Sequence, residues 1–181
     1  MNIIVAVDKN WGIGKNGDML IYIPDDLKYF KEKTLKNVIV AGRKTVETFP
    51  NGKPLLDRVN IIMTRDKSYK NGDAIVCSTV DEVMSVVSDY RDKEVFVVGG
   101  ESVYRQFLDK CDKAYVTKID YSFSDVDTFM VNLDESPFWE VESQSETKYL
   151  NGIGYKFLVY KKYSKIYCNY SVSVVKSMLV S

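Results

Sequence analysis

Among the side chains of this sequence, Asp26 has the best setting for proton chemistry. It closes Ile23-Pro24-Asp25-Asp26, where Pro suits the first turn of a helix and acids complement the positive end of the helix dipole. On such a helix Asp26 shares a face with Phe30, four residues later, and Lys33 lies a further turn on. Asp25 points elsewhere and reads as a solvated first-turn acid. A dipole-complementing role explains Asp26 as well as a functional one does. If the Phe30 face lines a pocket, desolvation raises the Asp26 pKa and makes it a proton donor or a partner for an amidine-like ring. Histidine is absent from the whole chain. That removes Ser-His-Asp and Cys-His hydrolases, HExxH metalloproteases and Cys₂His₂ zinc sites, leaving carboxylates, Tyr, Lys or water to move protons. No metal site is expected.

Three strand ends carry a second kind of chemistry. Gly42-Arg43-Lys44-Thr45, Thr64-Arg65 and Gly99-Gly100-Glu101-Ser102 each follow a buried β-branched run, and two of them open helices. In an open parallel sheet, ligands bind beyond the carboxyl ends of strands, where free N–H groups meet phosphate. Arg43, Lys44 and Arg65 would add positive charge, so the three ends together point to a phosphorylated nucleotide. Gly12-Ile13-Gly14-Lys15-Asn16-Gly17 fits GxGxxG, but no helix opens there, and the next waits for Pro24. It is a decoy for a dinucleotide fingerprint, and its glycines are expected to serve a mobile active-site loop.

The elements that must position these groups can be read from apolar runs. Strands are expected at Ile3–Val7, Val38–Ala41, Val59–Met63, Ala74–Cys77, Val95–Val98 and Ala114–Ile119. Helices are expected from Pro24 to about Thr34, after Gly42, over Asp81–Ser88 and over Glu101–Leu108. Trp139–Glu146 and Tyr155–Tyr160 alternate apolar and polar residues around Asn151-Gly152, the pattern of a hairpin. The fold class is therefore α/β: a three-layer arrangement with a central, mostly parallel sheet, an antiparallel C-terminal hairpin and flanking helices.

The 181 residues suit one domain, and 25 basic against 25 acidic side chains argue against a nucleic-acid partner. Cys77, Cys111 and Cys168 are odd in number and widely spaced, as in reduced thiols. The short apolar run of the N-terminus suits neither signal peptide nor membrane span, so a cytoplasmic protein is expected. No acid follows Glu146, and residues 163–181 mix Ser, Tyr and Val without a period. They are expected to form an appended tail to a domain of residues 1–162, either flexible or paired with an edge strand. An oligomerisation strand is the sharper alternative. Asn169-Tyr170-Ser171 matches a glycosylation sequon only by chance.

In order and spacing, the blocks VAVDKNWGIGKNGDM, IPDDLKYFKEKT, VIVAGRKTVE, KPLLDRVNIIMTRD, FVVGGESVYRQFL, AYVTKID and VDTF resemble dihydrofolate reductase from Met1 to about Lys162. The resemblance implies a monomer that reduces 7,8-dihydrofolate with NADPH. It implies that Asp26, with Thr117 beside it, binds the pterin N3 and 2-amino group. Ile4, Val5 and Ala6 would supply wall and backbone contacts, Phe30 would pack on the substrate rings opposite Phe49 and Leu55, and Arg58 would hold the glutamate α-carboxylate. Tyr115 would lie near the nicotinamide. For NADPH it implies Ala6, the Gly42–Thr45 segment (Gly42, Arg43, Lys44, Thr45), and Met63, Thr64 and Arg65. It adds Val98 and the Gly99–Tyr104 segment (Gly99, Gly100, Glu101, Ser102, Val103, Tyr104). Ile13, Gly14 and Met19 would belong to the loop that closes over the nicotinamide. Thr64 and Arg65, helped by Lys44, would meet the 2′-phosphate.

Two departures from the family pattern stand out. Ile21 replaces a common Trp, and Leu56-Asp57 stands where Pro-Gly is frequent. The reductase of riboflavin synthesis is a neighbouring alternative, and it should lack the Asp26/Thr117 pair and Arg58. A binding module that has lost turnover is another, supported only by Ile21.

Overall fold

The computed structural model describes residues 1–163. In chain order the strands are β1 (Asn2–Val7), β2 (Gly12–Lys15), β3 (Asp18–Met19), β4 (Val38–Gly42), β5 (Val59–Met63), β6 (Ile75–Cys77), β7 (Val95–Gly99), β8 (Lys113–Ile119), β9 (Thr128–Phe129), β10 (Trp139–Gln144), β11 (Lys148–Leu150) and β12 (Ile153–Lys162). The helices are α1 (Pro24–Thr34), α2 (Arg43–Glu47), α3 (Val80–Val87) and α4 (Glu101–Phe107). The main sheet runs β10-β12-β8-β1-β7-β4-β5-β6, with β11 joined to β12. From β8 to β6 every neighbouring pair is parallel, whereas β12 is antiparallel to β8, β10 and β11.

Both faces of the parallel part are covered, which is why its strands read as unbroken β-branched runs. Along β1, Ile3, Val5 and Val7 enter a core shared with Val97, Phe107 and Val116. Ile4, pointing the other way, enters a core with Ile39, Ile62 and Phe96. Pro24 opens α1 with Asp25 and Asp26 in its first turn and Lys31 and Lys33 in its last. Thr79 caps α3 by accepting from the Glu82 N–H, and the Glu82 carboxylate accepts from the Ser78 N–H at 2.6 Å, so the helix begins at Val80, one residue before the expected start.

The glycine-rich stretch is ordered differently from the expected loop. β2 and β3 form a hairpin around Asn16-Gly17, both at positive φ, and β2 pairs with β9 in a small second sheet. Its strands are too short and too polar to show a period. The C-terminal hairpin is also subdivided. Asn151 and Gly152, both at positive φ, join β11 to β12, and β10 pairs with β12 through a bulge at Val141/Ser143. The expected tail lies outside the described residues apart from Tyr163, whose N–H donates to the Phe138 carbonyl. Cys168 and the sequon lie outside them too. Among the described residues no helix is long and apolar enough to cross a membrane.

Candidate active site

Register brings the first groups together. On β1 and β8, Ala6 faces Thr117 and Ile4 faces Tyr115. Across that pair lies α1, and the Thr117 hydroxyl donates to Asp26 Oδ1 at 2.5 Å, with Thr117 itself only 1% exposed. Burial pushes the Asp26 carboxyl above its ordinary value, and the Thr117 hydrogen bond partly offsets this. Behind Asp26 stands an aromatic wall the sequence did not announce: Tyr29 packs on Phe157 at 4.7 Å and on Tyr115 at 6.4 Å between ring centroids. Burial, then Tyr115 and Asp26, push the Tyr29 hydroxyl up to about 12, so it stays protonated. Asp25 is not merely solvated. Lys148 donates to it at 2.7 Å and Tyr155 at 3.1 Å, which holds its carboxyl below the usual range and ties α1 to the C-terminal hairpin.

Phe30, Phe49, Leu55 and Tyr115 pack in one apolar cluster with Ile4 and Val98. Ala6 and Ile21 belong to the neighbouring cluster with Ile23, Ile119 and Phe157. Ile21 fills space there but can donate no side-chain hydrogen bond. The Val5 side chain lies in the core on the opposite face from Ile4, which leaves its backbone for the contact expected of it. The Arg58 guanidinium donates to the Leu56 carbonyl at 2.6 Å and, through Nε and Nη2, to Thr34 Oγ1 at 3.3 Å. No carboxylate pairs with it among the described residues, and two of its five N–H groups remain for an anion. Desolvation lowers its pKa, against an opposing pull from Asp57. Asp57 takes a positive φ of 59°, the conformation a glycine would occupy at no cost. Buried Asn60 closes this turn, accepting from the Leu55 N–H and donating to the Leu55 and Arg58 carbonyls.

The second group gathers at the ends of β4 and β7, which are sheet neighbours. A Cβ on Gly99 would lie 3.0 Å from Thr45 Cγ2, and Gly99 has a φ of +135°, so only glycine suits that position. A Cβ on Gly42 would lie 3.2 Å from Val103 Cγ2. The two ends thus expose bare backbone to one another's loops. Lys44 and Arg65 are exposed and make no ion pair among the described residues. Arg43 differs: Glu47 at 2.8 Å and Asp66 at 3.5 Å neutralise it, and it stacks on Tyr69. Its side chain therefore adds little net charge. Thr64 Oγ1 accepts from the Asp66 N–H, while Ser102 is exposed at the start of α4. Met63, Val98, Val103 and Tyr104 have core-buried side chains. The Tyr104 hydroxyl donates to the Ile4 carbonyl at 2.8 Å, linking α4 to β1.

Ile13, Gly14 and Met19 lie on the β2–β3 hairpin, with Ile13 half-buried and Met19 exposed. That hairpin is fastened to the segment before β9, where Lys15 pairs with Asp125 at 3.1 Å. Asp127 Oδ2 accepts from the Asn16 N–H at 2.7 Å, and the Asp127 N–H donates to the Gly14 carbonyl. Glu101, through Oε2, accepts from the Phe129 N–H at 3.3 Å, so its carboxylate joins α4 to β9. Fully buried Asp8 accepts from the N–H groups of Asn10 and Gly12 at 2.8 Å and of Phe123 at 3.2 Å. An Asp two residues before Asn10 is a local turn signal, but its bond to Phe123 is visible only in the folded chain.

The family model for dihydrofolate reductase matches residues 1–162. A dihydrofolate reductase of Staphylococcus haemolyticus is 35% identical over 164 residues, covering 90% of this chain and 95% of the relative. One of Bacillus subtilis (strain 168) is 36% identical over 163 residues, covering 90% and 94%. Among solved structures, dihydrofolate reductase from Enterococcus faecalis, in complex with NADP(H) and RAB-propyl, superposes with a TM-score of 0.79 at 30% identity. It covers 90% of this chain and 96% of that one.

Proposed function

Because this chain belongs to the dihydrofolate reductase family and as such reduces 7,8-dihydrofolate to 5,6,7,8-tetrahydrofolate with NADPH, we propose a role for each group of the site. Asp26 is the catalytic carboxylate. It binds the N3 and 2-amino edge of the pterin and raises the basicity of N5 electrostatically, with a water delivering the proton. Phe30, Phe49, Leu55, Tyr115, Ile4 and Ala6 line the substrate cleft and exclude water, and Val5 contributes backbone. Arg58 turns its free N–H pair to the substrate's glutamate carboxylate, for which a guanidinium fork is suited.

The residues present fit NADPH: the glycine ends of β4 and β7 pack so closely on Thr45 and Val103 that they carry no side chain over their backbone, and Lys44 and Arg65 are exposed with no ion pair among the described residues. NADPH, when bound, supplies the hydride that passes from the nicotinamide to C6 of the substrate. Around it, Gly42–Thr45 and Gly99–Ser102 hold the pyrophosphate through backbone N–H groups, and Arg65, Lys44 and Thr64 take the 2′-phosphate. Met63, Val98, Val103 and Tyr104 support this cradle from the core. The β2–β3 hairpin, with Ile13, Gly14 and Met19, covers the nicotinamide.

The observation that carries this assignment is the 2.5 Å bond between Thr117 and a partly buried Asp26 in apolar surroundings. The test is NADPH oxidation by the purified chain with and without dihydrofolate. Oxidation that needs dihydrofolate and is lost in Asp26→Asn supports it, and an unimpaired variant removes Asp26 from the mechanism. We further assign the activity to residues 1–162, as a cytoplasmic monomer without a nucleic-acid partner. A chain ending after Lys162 should keep turnover and elute at monomer size.

A further inference from the structure

A cavity of about 440 Å³ lies away from the site above, at the open end of β8 and β12. Strand alternation turns two of its lysines away from that site, while Ile119 and Tyr155, from the Ala6 cluster, close its inner side. Thr117 and Phe157 face α1, so their neighbours Lys118 and Lys156 point to the other face of the sheet. Lys118 accordingly lies 4.1 Å over the Trp11 ring, in the opposite core. Lys9 and Asp120 wall one side of the cavity, Thr147 and Tyr149 the other.

The charges here are unbalanced. Three ammonium groups line the cavity against one carboxylate. Asp120 holds Lys9 at 2.9 Å, and Asp134 holds Lys118 at 2.8 Å. Lys156 sits directly opposite Lys118 in the antiparallel register and has no ion pair among the described residues. Residues 147–181 contain no Asp or Glu. Asp134 already offsets Lys118, and Asp120 offsets Lys9, which leaves Lys156 as the ammonium here without a counter-charge among the described residues. A bound anion would supply one.

We propose that this cavity is a second binding site, independent of the reductase cleft, for a small phosphorylated metabolite. Lys156 holds the phosphate, with Lys118 and Lys9 beside it and the Thr147 hydroxyl within the same wall. Lysine suits phosphate as a point charge. The volume falls within the roughly 300–1,000 Å³ of small-molecule sites, so a phosphate with an organic body fits better than the inorganic ion. The exposed Tyr149 ring offers that body a flat apolar contact.

The test is calorimetric titration of inorganic pyrophosphate into the full chain saturated with NADPH, so that the cofactor's phosphate subsites are filled. Saturable, salt-sensitive binding is expected. Lys156→Glu should weaken it by about tenfold or more, because attraction becomes repulsion. The same variant should leave dihydrofolate turnover unchanged. Lys156→Gln, which only removes charge, should give a smaller loss and serves if the first variant does not fold. Absence of saturable binding to the NADPH-loaded protein overturns the proposal. So does equal affinity in the parent and both variants, or binding seen only when NADPH is left out.

Discussion

Replacing Asp26 by Asn separates charge from shape. The amide is nearly isosteric, and its oxygen can still accept from Thr117, so the side chain stays oriented. A hydrogen bond to a charged acceptor contributes about 1.5–3 kcal/mol and one to a neutral acceptor about 0.5–1.5 kcal/mol. The orientational loss is therefore about 1–1.5 kcal/mol, or roughly tenfold in rate. Loss of acid–base assistance costs about 10²–10⁴-fold. The charge effect wins. Turnover at neutral pH should fall by about 10²–10⁴-fold, with NADPH affinity unchanged because the cofactor cradle lies at the ends of β4, β5 and β7. The deficit should narrow in acid, where solvent protonates the substrate directly.

Stability supplies an independent readout with the opposite sign. Unfolded, Asp26 releases its proton near its ordinary 3.8, whereas in the native protein burial keeps the proton on to higher pH. Between those two values the native state binds more protons than the unfolded state, so stability declines as pH rises through the window and stays lower above it. Asn removes that penalty. The variant should melt above the parent at neutral pH and with it below the window, measured by calorimetry across pH. Parent-like turnover at neutral pH, or a variant that melts below the parent there, would falsify the assignment of a desolvated catalytic carboxylate.

Arg58→Gln should raise the KM for dihydrofolate about tenfold or more, from loss of charge-assisted bonds, and leave turnover of a pterin lacking the glutamate unchanged; equal effects on both substrates would exclude a carboxylate clamp. Arg65→Ala should narrow the preference for NADPH over NADH by about tenfold, the loss of roughly 1.4 kcal/mol, read from kcat/KM for each cofactor. An unaltered ratio would place 2′-phosphate recognition elsewhere. Asp127→Ala removes the acceptor for the Asn16 N–H. Hydrogen exchange should speed at Asn16 and its hairpin neighbours, with no change in β1 or β8; unaltered protection would show that strand pairing and the Lys15–Asp125 ion pair hold the hairpin without Asp127.

Much of this protein is legible from its residues because the signals are local. Pro24 followed by two acids starts α1, and its predicted span to Thr34 is the observed one. The β-branched runs at Val38, Val59 and Val95 become parallel strands because both of their faces are buried. The glycine that ends β7 has a local reason as well, since Gly99 takes a φ of +135° against Thr45, where a Cβ would not fit. The pairing of distant groups was not legible in residue spacing alone. Thr117 reaches Asp26 across 91 positions, and Tyr29 finds Phe157 across a sheet whose strand order the chain does not follow. Arg43 looked like a phosphate ligand and proved to be neutralised, because whether a surface arginine is free depends on which carboxylates folding brings near. The hairpin of β2 and β3 escaped detection for a related reason. Four- and two-residue strands carry too few side chains to show a period, and their partner β9 lies more than a hundred residues away. Local chemistry settled what each segment could become. Only the tertiary structure decided which side chains share a site, because desolvation and hydrogen bonding act between groups that are near in space, whatever their distance along the chain.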